Sequence, residues 1–349
     1  MLFAFGSNGS GQLSLGNDED THIPTQCLIP ENFPTEPPKQ IVAGGNHTLV
    51  LFSCGSLFAT GSNQYGQCGI PISVGASFSS FQQVPNPPSE DGEDAKWALA
   101  SAGWDFTILA STNGNMYSCG FGSKGELGLG AEMLSAPLIY RINPFSESQV
   151  VSITSGMAHT LAILKSGEVY GWGAARKGQL GSSMEKILFT PRKILLPFPA
   201  TAAACGREFS FVISEDGDRH AILGGNERFP IRSGAPDQGV LQGWKRINAA
   251  WGSVVVLLAD GSIQAWGRND RGQLPPKGLR GVEYLAAGSE HGVAVVGERF
   301  VAWGWGEHGN CGKKGGGDVV GEVFEIKVEG DGKLKGVWAG CATSWVWRG

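Results

Sequence analysis

Short apolar runs recur along the chain, each introduced by a glycine and two variable residues. They read "AGGNHTLVL" (43–51), "AGWDFTILA" (102–110), "SGMAHTLAI" (155–163), "CGREFSFVI" (205–213), "WGSVVVLLA" (251–259), "AGSEHGVAV" (287–295) and "AGCATSWVW" (339–347). Apolar runs this short, bounded by glycine, have the length of strands rather than helices. A polar turn such as "STNGN" (111–115) or "ADG" (259–261) follows, and then a second apolar run. Asn-Gly and Asp-Gly between such runs predict hairpins.

The glycines that open these segments are Gly44, Gly103, Gly156, Gly206, Gly252, Gly288 and Gly340, separated by 59, 53, 50, 46, 36 and 52 residues. A second glycine motif closes each hairpin: "GSNQYGQCG" from Gly61, "GFGSKGELG" from Gly120, "GAARKGQLG" from Gly173, "GRNDRGQL" from Gly267 and "GWGEHGNCG" from Gly304. "GGNERFP" from Gly224 is a degenerate copy. Internal repetition at this period predicts a propeller rather than a string of separate domains.

The seventh opening glycine, Gly340, has no closing motif before residue 349, whereas "LFAFGSNGSGQL" at the N-terminus supplies a closing motif at Gly6 with no opening segment. The expectation is an all-β, seven-bladed β-propeller over residues 1–349, closed by pairing of N- and C-terminal strands within one blade. Such closure removes exposed sheet edges. The proline-rich stretches "IPENFPTEPPKQ" (29–40) and "VPNPPSEDGEDAK" (84–96) cannot supply central strands and read as inserts between blades.

Composition narrows the function classes. The chain has 54 Gly and 11 Trp, which means many tight turns and large aromatic anchors. Net charge is −5, with acidic runs at 17–20 and 89–94, so a basic face for nucleic acid is not expected. Seven cysteines form no C-x-x-C pair, and no 18-residue apolar stretch or basic-apolar leader is present. The chain therefore reads as reduced and intracellular, and the sequons at Asn8 and Asn46 carry no meaning as such.

Candidate chemistry is sparse. Gly304/Gly306/Gly309 and Gly120/Gly122/Gly125 fit G-x-G-x-x-G, but neither precedes an amphipathic helix, which a dinucleotide site requires. They read as turn glycines, and no cofactor is expected. Glu290-His291 and Glu307-His308 repeat one dyad, yet neighbours on a strand point to opposite faces, and no zinc-ligand spacing accompanies either. Neither a G-x-S-x-G elbow nor a Walker loop is present. A metal-dependent enzyme built on the two dyads is the remaining enzymatic alternative, and the expectation is no enzymatic activity. His47 and His159, fourth in their segments, read as structural; Trp172, Trp266 and Trp303 read as core between blades.

The two residues after each opening glycine vary most: Gly45-Asn46, Trp104-Asp105, Met157-Ala158, Arg207-Glu208, Ser253-Val254, Ser289-Glu290 and Cys341-Ala342. In a propeller these turns ring one face, an arrangement suited to gripping a protein. Trp104 and Trp251 are candidate anchors there, with packing against neighbouring blades as the alternative role.

The paired motifs, "GGNHT" with "GSNxxGQL", resemble the regulator-of-chromosome-condensation (RCC) repeat family, whose fold is a seven-bladed propeller. Within it, "AFGSNGSGQLSLGNDED", "GWDFT", "GSEHG" with "WGWGEHGNCG", and "GCATSW" resemble a fungal branch, the killer-toxin-insensitivity or alpha-tubulin-suppressor type. That resemblance implies a non-enzymatic partner protein. It implies a heterodimer with a small CSL-type zinc-ribbon protein of diphthamide synthesis, indirect service to the Elongator complex in wobble-uridine modification of tRNA, and a cytoplasmic location with the nucleus as a second compartment. The interface residues expected on this basis are Trp104, Asp105, Trp251, Glu290, His291, Glu307 and His308. The family's founding member implies the alternative, a guanine-nucleotide exchange factor for a small GTPase.

Overall fold

The computed structural model describes residues 1–88, 95–143, 149–225 and 228–349, so the acidic run at 89–94 lies outside the described residues. Among these residues the chain forms seven antiparallel sheets and no helix. Blade one holds Gln40–Ala43, His47–Leu51, Leu57–Ser62 and Ser77–Gln83; blade two holds Trp97–Ala102, Phe106–Ser111, Met116–Phe121 and Ser135–Arg141. Blade three holds Val150–Ser155, His159–Leu164, Val169–Ala174 and Ile187–Ile194. Blades four (Ala202–Cys205, Phe209–Ile213, His220–Gly224) and five (Trp244–Ala249, Ser253–Leu258, Ile263–Gly267) have three strands each among the described residues. Blade six holds Val282–Ala287, His291–Val296, Arg299–Gly304 and Val319–Ile326.

Blade seven is built from both chain ends. Leu334–Ala339 and Thr343–Arg348 supply its inner half, and Leu2–Gly6 and Thr21–Gln26 its outer half. The junction runs in register from Leu2 opposite Trp347 to Gly6 opposite Thr343. All five residues of Leu2–Gly6 are buried, and Phe5 meets Phe300 of blade six edge-on at 5.9 Å. The closure expected from the unmatched motifs is present.

The two glycine motifs interlock, which explains their spacing. Each closing glycine sits directly opposite the fourth residue of an opening segment: Gly61 opposite His47, Gly120 opposite Phe106, Gly173 opposite His159, Gly304 opposite His291 and Gly6 opposite Thr343. At Gly120, φ is +106° and an added Cβ would stand 2.3 Å from the Asp105 carbonyl oxygen. The opening glycine has a different reason to lack a side chain. The ring of the fourth residue folds back over it, so that a Cβ at Gly103 would lie 1.9 Å from the Phe106 ring.

Blade five corrects the sequence alignment. The bond from Gly44 N to His47 O, 2.9 Å, has its equivalent in Ala250 N to Ser253 O, 2.9 Å. Ala250, not Gly252, therefore takes the opening place. Ser253 has no ring to fold back, so a methyl group fits. The variable pair of this blade is accordingly Trp251-Gly252, while Ser253 and Val254 are buried in the second strand. The fourth position of blade seven is Thr343, whose carbonyl accepts from Gly340 N at 2.9 Å.

Cores lie between adjacent blades. Trp172, Trp266 and Trp303 are buried there, and each donates its indole N–H across to a neighbouring loop: to Glu126 O at 2.9 Å, Ile231 O at 2.9 Å and Gln273 O at 3.1 Å. The insert at 29–40 is held by Phe33, which packs on Phe52, Phe58 and Phe81 at 4.9, 4.8 and 5.4 Å.

Three histidines tie blades together. His47 Nε2 is 2.9 Å from Thr107 Oγ1, His159 Nε2 is 2.9 Å from Ser210 Oγ, and His291 Nε2 is 2.9 Å from Ser344 Oγ. Each hydroxyl donates onward to a carbonyl in the closing loop of the histidine's own blade, at Gln67, Gln179 or Asn310. The hydroxyl thus accepts from the imidazole Nε2–H, which sets the tautomer. Burial pushes the pKa of each imidazole down to about 4.

Candidate functional site: the upper mouth of the channel

Antiparallel strands reverse at each turn, so the turn after a blade's innermost strand and the loop after its third strand emerge on one face, here called upper. Phe121 N donates to Asp105 O at 2.8 Å and Trp305 N to Glu290 O at 2.9 Å, which knits the two loop sets together. The inner turns are also bonded to each other around the ring. Gly45 N donates to Trp104 O (2.9 Å), Trp104 N to Met157 O (3.2 Å), Arg207 N to Trp251 O (3.1 Å), Trp251 N to Ser289 O (2.8 Å) and Ser289 N to Gly340 O (3.0 Å). Backbone bonding of this kind links the turns of blades one to three, and those of blades four to seven, into two arcs of the rim.

The rim surrounds a central cavity of about 250 Å³, whose lining includes Trp104, Met157, Trp251, Ser289 and Cys341. The indoles of Trp104 and Trp251 meet across this mouth, with centroids 6.0 Å apart and planes tilted by 41°. Both are half-buried. The exposed guanidinium of Arg207 stands 5.5 Å from the Trp251 ring, within cation–π range. Two large, rigid, partly exposed rings with a cation beside them have the composition found at the energetic centres of protein interfaces. Asp105 lies next to Trp104, and its partial burial raises its carboxyl pKa.

The other expected interface residues fall elsewhere. Glu290 is 6% exposed and is engaged by Arg268 at 2.5 Å and by the Gln273 amide at 2.7 Å. Its pKa is raised by burial, against the pull of Gln273 and Arg268. Arg268 also holds Asp270, whose carboxyl it brings down to about 2, and lies 4.9 Å from the Phe229 ring. His291 is 1% exposed and bonded to Ser344. These two, expected in an interface, are instead buried and bonded within this chain, where they tie its parts together. The dyad is split, Glu290 turning to the upper face and His291 into the blade junction.

Glu307 is exposed and His308 half-exposed on the outer rim, where His308 Nδ1 is 2.7 Å from Asp20 and its ring meets Trp305 edge-on at 5.7 Å. The second dyad is thus apart from the mouth. Among the described residues no group of three or more His, Cys, Asp or Glu is arranged to hold a metal ion. Gly304, at the end of a strand, and Gly309, in the turn after it, adopt φ of +103° and +80°, with no helix following among the described residues.

Arg207, Met157 and Arg268 were not singled out from sequence. Arg207 and Met157 stand among the variable turn residues, but their meeting with Trp251 and Trp104 depends on blades that are distant in the chain.

The model of the RCC1-like domain matches residues 1–346. The chain belongs to that family. An RCC1 repeat-containing protein of Schizosaccharomyces pombe is 31% identical, covering 99% of this chain and 98% of its own length. A secretion-regulating guanine nucleotide exchange factor of Mus musculus is 27% identical over 89% of this chain and 75% of its own length. The solved structure of Saccharomyces cerevisiae Prp20p is 20% identical and superposes with a TM-score of 0.84, covering 99% of this chain and 90% of that one. At that identity the likeness is one of fold.

Proposed function

We propose that this RCC1-like propeller is a non-enzymatic binding module that takes a protein partner on its upper face through Trp104 and Trp251. The observation that carries this reading is the pair of half-buried indoles, 6.0 Å apart on a rim held by turn-to-turn backbone bonds. A rigid aromatic anchor loses little freedom on association, so a larger share of its contact free energy appears as affinity.

The partner we propose is the small CSL-type zinc-ribbon protein of diphthamide synthesis, bound as a heterodimer that also serves Elongator-dependent tRNA modification. The four segments resembling the killer-toxin-insensitivity branch support this choice, and three of them, "GWDFT", "GSEHG" and "GCATSW", supply mouth residues. The acidic chain would act on tRNA modification only through its partner, in the cytoplasm and nucleus. An interface of ordinary size would cover roughly 800 Å² on this side. Titration calorimetry with the zinc-ribbon protein tests the reading: the expectation is a one-to-one complex weakened by Trp104→Ala, and no binding refutes it.

A second reading is exchange activity toward a small GTPase. It is favoured by the relatives from Mus musculus and Bos taurus named secretion-regulating guanine nucleotide exchange factors, which align with 89% of this chain. Acceleration of nucleotide release from a panel of small GTPases would support it, and unchanged release rates would remove it.

A further inference from the structure

The lower half of the channel carries a separate feature. In the innermost strand of blade five, Arg246 pairs with Leu257, Ile247 with Val256 and Asn248 with Val255, so Arg246 and Asn248 project from the same side. Asn248 lines the channel, and its amide Nδ2 is buried with no acceptor. Arg246 lies one step nearer the lower mouth and makes no hydrogen bond or ion pair with any of the described residues. Burial pulls the pKa of its guanidinium down, with no carboxylate among the described residues opposing it.

Arg246 is alone of its kind in its layer. The positions equivalent to it in the other blades are Gln40, Leu99, Ser152, Ala202, Tyr284 and Gly336, all neutral. One residue further down, Lys39, Lys245 and Lys335 are exposed at the mouth, with Glu283 as the acidic residue of that layer. A low-dielectric channel with a mainly cationic mouth concentrates anions. A guanidinium keeps its proton at working pH, so a desolvated one with no carboxylate partner among the described residues is open to an anion from solution.

We propose that Arg246 and Asn248 form a site for a small oxyanion, a carboxylate or phosphate group, entering the channel from the lower mouth. The planar fork of Arg246 offers paired N–H donors to two oxygens, and the unpartnered amide of Asn248 offers a donor one step further in. This site is independent of the upper face, so neither proposal depends on the other.

Calorimetric titration of the whole chain with inorganic phosphate, at ionic strength held constant with chloride, tests it. Binding to the unaltered chain is expected, with affinity lowered roughly ten-fold or more by Arg246→Met and less by Asn248→Ala. Thermal melting provides the second readout: phosphate should raise the Tm of the unaltered chain and leave that of Arg246→Met unchanged. Displacement of phosphate by acetate supports a site that reads the oxyanion. Displacement by chloride at equal concentration, equal affinity in Arg246→Met, or no binding at millimolar phosphate would each overturn the proposal.

Discussion

Replacing His159 with Phe isolates one physical consequence of the blade ties. His159 is fully buried, its ring folds over Gly156, and its Nε2–H bonds Ser210. Phe106 and Phe209 already occupy the same register in blades two and four and fold over Gly103 and Gly206 in the same way, so the ring position accepts Phe. Ser210 keeps its donation to Gln179 O. At pH 7.5 the substitution should cost about 1 kcal/mol, one neutral hydrogen bond.

Acid reverses the order. The imidazole of His159 has its pKa pushed down from 6.5 to about 4 by burial. Between these values the unfolded chain binds a proton that the folded chain does not, so stability is whole above pH 6.5 and falls as the pH drops from there through about 4. At pH 5 the proton-binding ratio of the two states is roughly 30, a loss of about 2 kcal/mol per histidine relative to neutral pH. His47 and His291, held at about 4 by the same cause, contribute equally. Urea unfolding at pH 7.5 and pH 5 measures the difference. His159→Phe should recover about a third of the acid loss that these three histidines cause and become more stable than the unaltered chain at pH 5. A variant whose stability parallels the unaltered chain at both pH values would refute the reasoning.

Gly120→Ala places a Cβ 2.3 Å from the Asp105 carbonyl at a φ of +106°, and should cost about 2 kcal/mol or more, read as a lower urea midpoint at unchanged slope. Phe5→Ala removes a fully buried ring from the closing strand and should cost about 3–5 kcal/mol, with faster amide exchange across Leu2–Gly6 and Thr343–Arg348 than in other blades. Glu290→Ala deprives Arg268 of its buried partner. It should destabilise the chain by about 1–3 kcal/mol, measured in the same urea assay.

Much of the architecture was readable from the order of residues, because each blade repeats the same steric demands. Opening and closing glycines recur wherever a ring folds back or a carbonyl approaches, and Gly6 without its opening segment pointed to the closure with Thr343. Blade five was misaligned because Ser253, having no ring, removes the demand for glycine and lets Ala250 stand in its place. That blades four and five have three strands each among the described residues was not foreseen from the degenerate and shortened motifs there. The site was less legible. Glu290 and His291 looked alike as a polar dyad, and only packing revealed that one meets Arg268 and the other Ser344. Arg246 gave no signal at all, since its meaning lies in the lack of a carboxylate partner among the described residues.

The most direct test of the account is the affinity of the zinc-ribbon protein for the unaltered propeller and for a Trp104→Ala, Trp251→Ala double variant. Each lost anchor is worth about 2 kcal/mol, so Kd should rise at least a hundred-fold while the urea midpoint changes little. Equal affinity for the two proteins would contradict the claim that the aromatic mouth grips the partner.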